Sequence, residues 1–115
     1  MSDCSVPFAS KRRKNVLLVG LLAALFACAG QIPRPTSLQA QWAAQRWPGV
    51  TPEGLAQGRT LYIAKCSGCH TLRVPTKYSE DRWPSLLDKM QKRAKISDDE
   101  KAQILHYVLS VKQNS

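Results

Sequence analysis

The sequence is short of several things that common protein classes need. At 115 residues it lacks the length of a large multidomain enzyme. Its longest charge-free apolar stretch, residues 16–27, falls well below the ~20 residues a helix needs to cross the hydrocarbon core. No alternating apolar pattern marks a strand between residues 51 and 115. Acids are scarce, 8 against 17 Lys and Arg, giving a formal charge of +9. Lys11, Arg12, Arg13 and Lys14 concentrate much of that excess in one place, so a uniformly basic nucleic-acid-binding surface does not follow. Histidine and methionine occur twice each, which leaves few side chains able to ligate a metal through nitrogen or thioether. Against these shortages, 43% of the residues are hydrophobic, and that favours packing over disorder.

What is present begins with a basic run followed by the apolar residues 16–27, the order of a secretory signal. A buried helix fits less well, because nothing on this stretch is polar enough to face water. Arg12 and Arg13 suggest a twin-arginine signal, but Asn15 and Val16 fit that pattern poorly and general secretion is preferred. Leu25, Phe26, Ala27 and Cys28 resemble the lipobox of bacterial lipoproteins, in which the Cys is lipid-modified and becomes the first mature residue. Phe26 stands where that pattern usually has a smaller residue. An ordinary secreted chain with Cys28 unmodified is the alternative. Several acyl chains would hold the protein firmly where a single one would not. Ala29 after the Cys implies, by the same resemblance, the outer membrane. The expectation is a lipoprotein-type signal over residues 1–27, with Cys4 discarded in it, and a mature chain of 88 residues that is still basic at +6.

Residues 28–50 mix Pro33, Pro35, Pro48 and Gly49 with Gln, Ala and two Trp, which predicts a lipid-anchored surface tether with one short helix over 38–46. Trp42 and Trp47 would pack on the domain or sit at a lipid interface. Thr51, Pro52 and Glu53 then give a helix start: a hydroxyl cap, Pro in the first turn and an acid near the positive end of the dipole. A domain over 51–115 is so small that apolar burial barely exceeds chain entropy, and a cofactor in its core is expected.

Cys66, Ser67, Gly68, Cys69 and His70 spell C-x-x-C-H, the attachment signature of c-type haem. Two thiols add to the porphyrin vinyl groups and the adjacent imidazole reaches the iron. A redox dithiol would want alternating strand and helix patterns, and none is visible. Zinc would need a second ligand pair, for which the mature chain offers only His106 as a further nitrogen. A plain structural pair is the remaining alternative. Export agrees with haem attachment, which takes place outside the bacterial cytoplasm.

From this motif outward, residues 52–112 resemble the small monohaem class I cytochromes c. Gly58 and Tyr62 look like the Gly and aromatic of that family's first helix, and Ile104 and Tyr107 like the partner face of its last. The resemblance implies an all-α fold around one covalent haem c, with His70 as proximal ligand. A Met sulfur usually lies opposite the His and raises the reduction potential. Met90 is the one Met of the mature chain. It shares a helical face with Trp83, Leu86, Leu87 and Ala94 within 79–94. Only 20 residues separate it from His70, and a helix rather than a long loop would carry it, as in small cytochrome subunits of periplasmic dehydrogenases. Met90 as a core gap-filler is the alternative. His106 falls on a polar stripe with Gln103, Ser110 and Gln113 and is expected to face water. Pro75 resembles the family's Pro whose carbonyl accepts from the ligand imidazole. Ser97 to Glu100 form an S-x-x-E capping box before a last helix running to about Lys112.

These readings imply a periplasmic electron carrier with cofactor ligands Cys66, Cys69, His70 and Met90, no catalytic residues, and a lipid at Cys28. Lys65, Arg73, Lys77, Lys89, Lys92, Arg93 and Lys95 could steer an acidic redox donor or acceptor, or form an ordinary solvated surface. Export argues against nucleic acid as a partner. A five-coordinate haem sensor of gas or small ligands and an anchored subunit of a periplasmic dehydrogenase are the alternatives. A peroxidase is disfavoured, since no spare acid-base pair accompanies the motif.

Overall fold

A computed structural model of the chain describes residues 32–68 and 72–113. The expected signal and lipobox, and with them Cys69 and His70, lie outside the described residues. Four α-helices and one 3-10 turn account for the secondary structure described, and no strand occurs among these residues. The all-α expectation holds. No helix described is long and apolar enough to cross a membrane.

Helix α1 spans Ser37–Arg46, α2 Pro52–Cys66, α3 Arg82–Ala94 and α4 Asp98–Ser110, with the 3-10 turn at Pro75–Lys77. The start of α2 follows its sequence signals: Thr51 Oγ1 accepts the Gly54 N–H at 3.1 Å, with Pro52 and Glu53 in the first turn. The capping box of α4 is closed in both directions. Ser97 Oγ accepts from the Glu100 N–H at 3.1 Å, and Glu100 Oε2 accepts from the Ser97 N–H at 2.9 Å. A second box, between Thr36 and Gln39, opens α1.

The core forms where α2 crosses α4. A Cβ added to Gly58 would collide with the Gln103 carbonyl oxygen and come within 2.9 Å of Tyr107 Cβ, so the missing side chain permits this close approach. Ile104, Tyr107 and Val108 are fully buried in this core, and Leu55 is fully buried in a second cluster with Ala40 and Ala43 of α1. Helix α3 adds Trp83 and Leu87, both buried.

Residues 32–50 differ from the expected tether from Ile32 onward, because they pack on the helices within one unit that begins at Ile32. Arg59 donates from Nε and Nη2 to the Ile32 carbonyl, at 3.1 and 2.9 Å, and from Nε to that of Pro33 at 3.2 Å. Tyr107 Oη donates to the Pro33 carbonyl at 2.7 Å. Gln39 Nε2 donates to the carbonyls of Val111 and Gln113, at 3.3 and 2.9 Å. Prolines and polar residues suggest a solvated spacer, but here backbone carbonyls dock it, and those carry no compositional signal.

Candidate haem site

The last turn of α2 and the inner face of α3 enclose a cavity of about 220 Å³. From α2 come Tyr62, Lys65 and Cys66; from α3 come Trp83, Leu86, Leu87, Met90, Arg93 and Ala94; Arg73 and Tyr78 complete the lining from the connection between them. Cys66 and Met90, two of the four residues singled out as ligands or attachment points, thus share one cavity. The helical spacing of Trp83, Leu86, Leu87, Met90 and Ala94 is what turns them to the same side of α3. Cys69 and His70 belong to the stretch that leaves α2 and fall outside the described residues.

Aromatic rings supply much of the wall. Trp83 lies edge-on to Tyr62 and to Tyr78, with centroids 6.0 and 5.6 Å apart. Burial, reinforced by the neighbouring Cys66, pushes the Tyr62 phenol well above its ordinary 10, so it remains a neutral donor. Tyr107, 6.0 Å from Tyr62 between ring centroids, is shifted the same way by burial.

Three side chains, from α2, α3 and the turn just past α4, hold the chain that follows the C-x-x-C-H motif. Tyr62 Oη donates to the Arg73 carbonyl, Trp83 Nε1 to that of Pro75 at 3.1 Å, and Lys112 Nζ, just past α4, to that of Tyr78 at 2.7 Å. The Pro75 carbonyl accepts from the Trp83 indole, and Pro75 is fully buried; the imidazole of His70, which this carbonyl is expected to meet, lies outside the described residues. Sequence reasoning placed Trp83 on the inner face but missed this bond. A side-chain donor reaching a backbone acceptor eight residues away leaves no pattern in the residue types.

Of the seven basic residues grouped in sequence, Lys65, Arg73 and Arg93 line the cavity, while Lys77, Lys89, Lys92 and Lys95 are exposed without lining it. His106 departs from its expected solvent position. Its ring stacks on Trp47 at 4.5 Å between centroids, and burial lowers its pKa. Ser110 leaves the polar stripe as well: it is fully buried, and its hydroxyl donates to the Tyr107 carbonyl at 2.8 Å. The His106 difference arises because Trp47, from residues 32–50, covers a face of α4 that periodicity alone leaves open.

The chemistry of the lining suits a macrocycle better than a metal cluster. Apolar and aromatic walls exclude water, sulfur comes from two different helices, and cationic groups stand among the lining residues. Among the described residues no three His, Cys, Asp or Glu side chains gather as a metal cluster would require. The family model described as cytochrome c matches residues 55–113, just over half of the chain, from the first turn of α2 to just past the end of α4. No curated protein and no solved structure matches.

Proposed function

This chain belongs to the cytochrome c family, and on that footing we propose that it is a lipid-anchored periplasmic electron carrier with His70 and Met90 as its axial ligands. The family assignment makes it a haem-binding electron carrier that holds haem c covalently and exchanges electrons with redox partners. Bound haem supplies a one-electron Fe(III)/Fe(II) couple. Within the chain, the Cys66 and Cys69 thiols fasten the porphyrin and the His70 imidazole binds on one side. The observation that carries the finer reading is that Met90 lines the same cavity as Cys66, on a helix separate from the motif. Its thioether is neutral and soft, and as a ligand it raises the reduction potential.

Tyr62, Trp83 and Leu87 are buried and keep water from the cavity. The donors Tyr62, Trp83 and Lys112 fix the backbone that follows His70, so that gaining or losing an electron requires little movement of the chain. Lys65, Arg73 and Arg93 are exposed where they line the cavity and favour a redox partner with an acidic contact surface. The lipobox-like residues 25–28 supply the anchor at Cys28, the periplasmic face the location, and Ala29 the leaning toward the outer membrane.

Optical spectra of the oxidised holoprotein test the ligand set. Wild type should show a sulfur-to-iron charge-transfer band and Met90→Leu should lack it, with the potential of the variant lowered. A spectrum unchanged by the substitution rejects Met90 as ligand and returns it to core packing. Rapid carbon monoxide binding by the wild type would favour the five-coordinate sensor.

A further inference from the structure

Resting on the reading of Cys28 as a lipidated first residue, we propose that the start of α1, with exposed Arg34 just before it and exposed Leu38 in its first turn, lies against an anionic bilayer surface. Four peptide spacings separate Cys28 from Ile32, at most about 15 Å of chain. At Ile32 that chain is already fastened, since Arg59 and Tyr107 hold the Ile32 and Pro33 carbonyls. A lipid inserted at Cys28 therefore keeps the start of α1 within that length of chain from the membrane.

The surface at that point has matching chemistry. Leu38, in the first turn of α1, is 66% exposed, more than Val74, the other large apolar side chain left open among the described residues. Residues 28–52 contain no Asp or Glu, but they carry Arg34 and Arg46. Glu80, which reaches α1, is paired with Arg46 at 3.7 Å and accepts from the Gln113 amide. Gln39 pins α1 to the residues just past the C-terminal end of α4, whereas Asp98, Asp99 and Glu100 occupy the first turn of that helix. Twelve residues of rise put Asp99 about 18 Å from Val111 along the axis. The end at α1, where Glu80 is already paired with Arg46, takes the anionic surface, and the end carrying Asp98, Asp99 and Glu100 points away from it.

Single thiols at the two ends provide the test. In the mature lipidated holoprotein Cys66 and Cys69 are thioethers and Cys28 is acylated, so Leu38→Cys or Asp99→Cys adds the one thiol open to an environment-sensitive dye. Both positions are exposed, and helical circular dichroism checks that the fold is kept. In vesicles of phosphatidylethanolamine and phosphatidylglycerol, the dye at 38 should shift to the blue. Brominated acyl chains should quench it several-fold more than the dye at 99. Equal, water-like emission at both positions on a protein whose intact mass shows the acyl groups overturns the orientation and leaves the anchor standing. Shielding at 38 without bromine quenching overturns it in favour of a protein occupant. An intact mass lacking acyl groups overturns the anchor reading itself, and the orientation with it.

Discussion

Gly58 permits the close approach of α2 to α4 at the crossing where the core forms. A methyl group there would meet the Gln103 carbonyl oxygen and Tyr107 Cβ, and neither can turn aside as the tip of a flexible side chain would. Gly58→Ala should gain up to ~1 kcal/mol of helix propensity and lose about 1–3 kcal/mol or more to overpacking. We therefore expect net destabilisation of the holoprotein in denaturant unfolding; an unchanged or raised midpoint would show that the crossing can open at no cost. The pairing of Gly58 and Tyr62 with Ile104 and Tyr107 was legible in the sequence, because small residues and apolar spacing on helices report directly on which faces meet. Cys66 and Met90 were legible for the same reason: a fixed motif names the first, and helical periodicity turns the second inward. The bonds from Tyr62, Trp83 and Lys112 to backbone carbonyls were not, because their acceptors are the same in every residue.

Helix ends show a similar division between elements. The starts of α2 and α4 could be read because Thr51 and Ser97 each precede a first turn of suitable residues. The T-x-x-Q box of α1 is hidden among prolines, and α3 begins with no side-chain cap at all. At its other end α3 stops at Lys95, a non-glycine residue in the left-handed region with φ of 54°, where the Ile96 N–H reaches back to the Gln91 carbonyl at 3.2 Å. A Cβ in that conformation costs about 1 kcal/mol that glycine avoids. Lys95→Gly should therefore stabilise the protein by up to ~1 kcal/mol, seen as a higher thermal midpoint with the oxidised spectrum unaltered. A lower midpoint would mean that the lost Lys95 side chain outweighs the relief, or that added freedom in the unfolded chain does.

Across the whole unit, residues 32–50 are the part least visible in sequence and the part that most alters the surface of α4. They bring Trp47 over His106, and Arg46 stands 5.2 Å from the centre of the same Trp47 ring. Burial of His106 beneath this cover disfavours its charged form. The folded-state pKa of His106 is thus below its ordinary 6.5, and in the window between those two values the unfolded chain binds more protons than the folded one. This contribution is fully present above pH 6.5 and is lost as pH falls from there toward the folded-state pKa. Stability measured by denaturant unfolding at successive pH values should decline on acidification through this window, and His106→Phe, which keeps a ring against Trp47, should flatten that decline. If the variant retains the same pH dependence as wild type, the titrating group lies elsewhere. The seating of residues 32–50 on the helices would then owe its strength to the carbonyl bonds made by Arg59, Tyr107 and Gln39.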